Sequence, residues 1–262
     1  MQHADDAPVL RHDADGVATL TLNRPERFNI LSEEMLEALT DALASLADDP
    51  SLRCVVIAAR GRAFCAGHDL RQMRARPDEA YYRDLFSRCG ALMQAIVALP
   101  VPVIARVQGL ATAAGCQLVA SCDLAVAARS ARFAVSGIEV GLFCSTPAVA
   151  LSRDIGRKRA LEMLFTGEFI DADQARDWGL VNRVADDARL DEVLASLTAT
   201  LCAKSAVALR TGKAMFQRQQ EMPLSRAYDY AGEMMATNMM AEDVDEGIAA
   251  FLAKRRPQWR HR

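Results

Sequence analysis

Histidine is scarce, with four in 262 residues, so no multi-histidine metal site is expected. The seven cysteines are odd in number and contain no Cys-x-x-Cys pair. They read as reduced, core-filling thiols rather than zinc ligands or a disulfide framework, and a cytoplasmic protein is expected. No strand-like run leads into Gly-x-Gly-x-x-Gly, which argues against a dinucleotide enzyme. Every apolar stretch is interrupted by Gln, Arg, Ser or Asp before it could span a bilayer, so no membrane span is expected. Positive charge is not in excess: 31 Lys and Arg face 34 Asp and Glu, a net charge of −3. No basic field therefore draws the chain to nucleic acid or an anionic membrane. Residues 1–16 carry Asp5, Asp6, Asp13 and Asp15 without an apolar or Arg-rich segment, and neither a secretion signal nor a transit peptide is expected there. Internal sequence repeats and low-complexity segments are absent as well.

What is present is an ordinary globular composition, 51% hydrophobic and 25% charged, in a chain long enough to bury a substantial core. Residues 17–22 (VATLTL) mix β-branched and apolar side chains and stop at the turn signal Asn23-Arg24-Pro25, so they predict a strand. Ser32 offers an N-cap, and Glu33 and Glu34 suit the positive end of the helix that follows. Residues 54–59 (CVVIAA) are all apolar, as in a strand covered on both faces. A second helix carries Tyr82, Leu85, Phe86, Cys89, Leu92, Met93, Ile96 and Val97 on one stripe and stops at Pro100 and Pro102. Strands are then predicted over 103–107 and 124–128, with a small-residue turn and helix over 109–121 between them. Alternating strands and helices argue for an α/β fold. Beyond about residue 150 helical patterns dominate, with helices predicted over 190–204, 206–220, 224–241 and 243–256. The methionines at 234, 235, 239 and 240 suit a subunit contact.

Two segments place backbone at a strand-to-helix junction with little side chain in the way. They are Phe64-Cys65-Ala66-Gly67-His68-Asp69-Leu70 and Gln108-Gly109-Leu110-Ala111-Thr112-Ala113-Ala114-Gly115-Cys116. The first turn of a helix leaves N–H groups unpaired and carries positive potential. Two such groups converging on one carbonyl oxygen would form an oxyanion hole. Taken singly, each segment equally suits tight strand–helix packing.

Together, in order and spacing, they resemble the crotonase (enoyl-CoA hydratase/isomerase) superfamily. The resemblance runs through residues 20–29 (LTLNRPERFN), 61–70 (GRAFCAGHDL), 102–127, 165–184 and 246–259. It implies a spiral of repeated ββα units over residues 1–200 and a helical trimerisation region over 201–262, with homotrimers or homohexamers. The implied ligand is a coenzyme A thioester, with no covalently bound cofactor. His68 and Ala114 would supply the two oxyanion N–H groups, and Ala66, Gly67, Asp69 and Leu70 would border the substrate. Arg24 and Arg27 could meet CoA phosphates, as could Lys254, Arg255 and Arg256 of a neighbouring subunit; a solvated surface explains them equally well.

The chain departs from the superfamily where hydration needs acid–base groups. The two hydratase glutamate positions fall on Gln117 and Gly137, so no catalytic side chain is assigned. Glutamine cannot accept a proton near neutral pH and glycine has no side chain. General acid–base groups are worth about 10²–10⁴-fold each, so efficient hydration is not expected. Glu139 would point to the same side as residue 137 in an extended segment, but about 6.6 Å further along. Cys144 and Ser145 are further candidates for the pocket, though Ser145 has no evident base. The His68 imidazole is the nearby group that titrates close to neutrality. The stretch Gly141-Leu142-Phe143-Cys144-Ser145-Thr146-Pro147 resembles one subgroup of the superfamily that is also short of both glutamates. Three readings follow: base-independent enolate chemistry such as decarboxylation, an acyl-CoA binding or regulatory protein without turnover, and residual hydration. Fold alone does not choose among them.

Overall fold

The computed structural model describes residues 6–262, so Asp5 of the acidic start lies outside it. Strand β1 (Val9–Ala14) pairs antiparallel with β2 (Val17–Leu22) across Asp15-Gly16. Both turn residues have positive φ, 52° and 78°, as a two-residue hairpin matching the strand twist requires. Strand β2 alternates half-buried and buried positions, whereas β3 (Cys54–Ala59) is buried at every position. Strands β5 (Val103–Val107) and β7 (Leu124–Ala128) continue a parallel sheet that β10 (Arg183–Ala185) closes, in the order β1-β2-β3-β5-β7-β10.

A second sheet grows alongside from very short strands: β4 (Ala63–Cys65), β6 (Leu110–Thr112), β8 (Arg132–Ala134) and β9 (Ile170–Asp171). The chain therefore repeats one path three times. A strand in the first sheet (β3, β5, β7) is followed by one in the second (β4, β6, β8), then by helix. The helices are α2 (Leu70–Ala75) and α3 (Glu79–Ala98), then α4 (Ala114–Ala120), then α5 (Ser145–Asp154) and α6 (Arg157–Thr166). This is the expected α/β spiral of ββα units, repeated in backbone without a repeat in sequence.

Period-two packing explains why β3 is apolar throughout. Val55, Ile57 and Ala59 face the main core, which also takes Leu36, Leu39 and Leu43 of α1 (Glu33–Ala44). Cys54, Val56 and Ala58 face a second core shared with Leu190 and Leu197 of α8 (Leu190–Cys202). Burying a side chain such as Ile57 contributes about 1.5–3 kcal/mol, so both faces of the sheet are held. Ser32 caps α1 as expected, its side chain accepting from the Met35 N–H at 3.2 Å.

The C-terminal third carries α7 (Ala172–Trp178), α8, α9 (Ala206–Gln219), α10 (Leu224–Met239) and α11 (Glu242–Leu252). Lys213 anchors α9 to the core: its ammonium meets Asp123 at 2.6 Å and donates to the Ile96 and Val101 carbonyls. The final residues fold back, with Trp259 donating to the Ala203 carbonyl at 2.8 Å and Asp243 accepting from the Arg260 and His261 N–H groups. Tyr228, Met235, Met240, Phe251 and Leu252 remain exposed on this region. No single helix among the described residues is long and apolar enough to cross a membrane.

Candidate active site

The site starts from two backbone turns. After β4 the chain bends at Gly67, whose φ of 86° is one that a side chain disfavours. The Gly67 carbonyl accepts from the Leu31 N–H at 2.8 Å, which fixes the peptide leading into His68. Opposite it, Ala113 has φ 50° and ψ −121°, strain that costs roughly 1–3 kcal/mol for a residue with a Cβ. The Ala113 N–H donates to the Ala134 carbonyl at 3.0 Å, and the twist sets the peptide leading into Ala114. The two turns are in contact: a Cβ added at Gly67 would lie 2.9 Å from the Ala113 Cβ and 3.3 Å from the Ala114 nitrogen. Neither the His68 nor the Ala114 N–H is donated to another group of the described chain. Gly115 holds α4 against β4 so closely that a Cβ there would meet the Cys65 carbonyl.

His68 and Ala114 line one cavity of about 520 Å³. Its other walls are Leu70, Met73 and Phe86 on one side and the loop through Glu139, Leu142 and Phe143 on the other. Ala66, Cys144 and Ser145 also line it, and Ser145 makes no contact with a base; its hydroxyl donates weakly to the Phe143 carbonyl at 3.4 Å. Burial raises the pKa of the Cys144 thiol, with the Gly137 backbone a partial counterweight. Gly67 shapes the turn without facing the cavity. Asp69 does not face it either: it is buried, caps α2 by accepting from Arg71 N–H at 2.9 Å, and pairs with Arg27 at 2.5 Å. Arg24 is held by Glu34 at 3.0 Å and Arg255 by Glu246 at 2.6 Å. Arg27, Arg24 and Arg255 thus already have carboxylate partners. Arg71 and Arg74, on the helix that begins at the cavity wall with Leu70, are exposed and have no such partner among the described residues.

The two glutamate positions differ in kind. Gln117 is buried, does not line the cavity, and its Oε1 has no hydrogen-bond partner. Gly137 does line the cavity, but a Cβ there would lie 2.6 Å from both the Cys144 Sγ and the Leu142 carbonyl oxygen. The space for a side chain at 137 is filled by the following loop. His68 offers no replacement. Both ring nitrogens are buried without a partner, and the ring packs edge-on against Phe86 at 5.6 Å. Burial holds its pKa below the usual histidine value, with the Leu31 backbone only partly offsetting it. Glu139 is exposed at the rim.

Sequence reasoning missed Ala113, because alanine gives no signal for a strained turn. It also missed the cavity role of Phe86, although that residue lay on the predicted helical stripe, and the hydroxyl pair of Thr112 and Ser136 at 2.8 Å beside the cavity.

A family model described as enoyl-CoA hydratase/isomerase matches residues 12–262. Enoyl-CoA hydratase domain-containing protein 3, mitochondrial, from Xenopus laevis is 45% identical over 94% of this chain and 84% of its own length. The subgroup that residues 141–147 resemble is the one carrying this name. A crystal structure of enoyl-CoA hydratase from Mycobacterium smegmatis superposes with TM-score 0.95 at 59% identity, covering 96% of this chain and 98% of that one. The human enoyl-CoA hydratase domain-containing protein 3 structure gives TM-score 0.93 at 43% identity, covering 96% and 100%. One expectation is corrected here. The frog, rat and human relatives are named mitochondrial, which points away from the cytoplasm. Buried unpaired thiols report a reducing environment and do not say which compartment supplies it.

Proposed function

Because the chain belongs to the enoyl-CoA hydratase/isomerase family, we propose that its cavity holds an acyl-CoA thioester whose carbonyl oxygen accepts from the His68 and Ala114 N–H groups. The contact between the Gly67 and Ala113 turns, with both following N–H groups unpaired, is the observation that carries this reading. Two preorganised N–H groups in an apolar pocket stabilise negative charge on a thioester oxygen far better than they would in water. CoA itself would lie over Ala66, with Arg71 and Arg74 the unpaired cations available to its phosphates.

Hydration through two carboxylates is not part of the proposal. Residue 117 offers a buried amide, residue 137 has no room for a side chain, and the imidazole nitrogens of His68 are buried without a partner. The protein is then a binder of acyl-CoA, or an enzyme whose enolate arises without the two hydratase carboxylates. Loss of CO₂ from a malonyl-type thioester is such a reaction, since the departing carboxylate leaves its electron pair on the α-carbon. The apolar surface of α10 and α11 supports assembly into trimers or hexamers.

Calorimetric titration with butyryl-CoA tests the binding reading against free CoA. Heat of binding that disappears in Gly67→Ala supports it; the absence of any acyl-CoA binding rejects it. Incubation with malonyl-CoA, followed by chromatography for acetyl-CoA, separates the enolate enzyme from the binder.

A further inference from the structure

The cavity is not closed on the side of the loop after Gly137. Leu142 and Phe143 line it and are also 44% and 38% exposed. Val140, which lines it too, is 63% exposed. These side chains line the cavity and are solvent-accessible, so the cavity opens at an apolar rim here. The apolar surface continues outward: the Phe143 ring meets that of Phe165, on α6, with centroids 6.0 Å apart. Phe165 does not line the cavity and is 63% exposed. A contiguous exposed apolar strip is uncommon on a soluble surface without a partner.

We infer that this strip is the path of a long acyl tail, which leaves the cavity over Leu142 and Phe143 and lies against Phe165, making the protein a receptor for medium- and long-chain acyl thioesters. The inference deepens the acyl-CoA reading and rests on it. Continuity with the cavity selects the acyl tail as the occupant: Phe143 belongs to both surfaces, so a chain following the cavity wall outward meets Phe165 next. An anionic membrane surface fits poorly, because Glu139 stands exposed on the same rim.

Titration with butyryl-, octanoyl- and dodecanoyl-CoA tests this on the intact protein. Affinity is expected to rise about twofold per added methylene, half the free energy that full burial of the group would give. Phe165→Ser should flatten the rise between octanoyl- and dodecanoyl-CoA while leaving butyryl-CoA unchanged, and Phe165→Leu should largely keep it. Equal affinities for butyryl- and dodecanoyl-CoA would overturn the inference and leave the acyl-CoA reading standing. A slope that Phe165→Ser leaves intact while the sedimenting mass falls would assign the strip to a subunit contact and also overturn it. Failure of all three thioesters to bind would remove the acyl-CoA reading itself.

Discussion

The sulfur of Cys144 stands where a side chain on residue 137 would begin: a Cβ built on Gly137 lies 2.6 Å from it and equally close to the Leu142 carbonyl oxygen. Loss of a carboxylate at this place is therefore more than the loss of a functional group. The loop after Gly137 has settled into the space, and its own backbone hydrogen bond, Leu142 N–H to the Gly137 carbonyl at 3.0 Å, holds it there.

Restoring glutamate at both positions should consequently fail to restore hydration. Gly137→Glu must displace a backbone oxygen, and overpacking of this kind costs about 1–3 kcal/mol. Gln117→Glu places a carboxylate among buried residues with no hydrogen-bond donor to replace the one its amide oxygen lacks, so the group will stay protonated at neutral pH. The double variant should melt several degrees below the parent and leave the absorbance of crotonyl-CoA unchanged over hours. Rapid loss of that absorbance would show that the loop yields and that the missing carboxylates were the only barrier.

Ala113→Gly should stabilise the protein. Glycine adopts φ 50° without the Cβ penalty, although it adds freedom to the unfolded chain, so the gain is about 1 kcal/mol. Butyryl-CoA binding should be kept, because the Ala114 N–H keeps its direction. A lower melting temperature would mean that the Ala113 methyl packing outweighs the strain.

Asn29 is a structural position beneath the site. Its amide donates to the Arg60 and Ala63 carbonyls, both at 2.8 Å, and its oxygen accepts from the Arg24 N–H at 2.8 Å. It is fully buried with φ 51°. Asn29→Ala leaves the Arg60 carbonyl and the Arg24 N–H without this partner, each worth about 1–3 kcal/mol when buried and unpaired, while the Ala63 carbonyl keeps the Gln108 amide at 3.0 Å. Denaturant titration should register a loss of about 2 kcal/mol or more; a change below 0.5 kcal/mol, within the usual range for surface substitutions, would contradict the bonding pattern.

Thiol chemistry should separate the seven free cysteines. Burial pushes the Cys54, Cys65, Cys89 and Cys116 thiols up to about 12, so almost no thiolate exists at pH 8. Cys202 alone is not buried. An aromatic disulfide reagent should modify Cys202 first and Cys144 slowly, with saturating butyryl-CoA slowing Cys144 further. The remaining five should react only after denaturation. Protection of Cys202 rather than Cys144 by the thioester would place the ligand elsewhere.

Much of the scaffold was legible where local pattern is strong. Residues 17–22, 54–59, 103–107 and 124–128 form the strands that their apolar and β-branched content predicted. The second sheet was not legible, because β4, β6 and β8 are three residues each and too short to carry a period. The first hairpin had a signal that went unused, Asp15-Gly16 between two strand-like runs. At the site, the two small-residue segments were visible, and so was the absence of glutamate at 117 and 137. The reach of Arg27 to Asp69 and of the Cys144 sulfur to Gly137 was not. Those contacts join side chains to positions fixed only when the ββα units stack or the loop folds back.

Proton NMR of crotonyl-CoA mixed with the protein tests the central claim most directly, since one spectrum series reads both binding and turnover. The acyl resonances should broaden on addition of protein and keep their intensity, with no 3-hydroxybutyryl signals appearing. Growth of 3-hydroxybutyryl-CoA at a catalytic rate, or acyl resonances that stay sharp, would contradict the account.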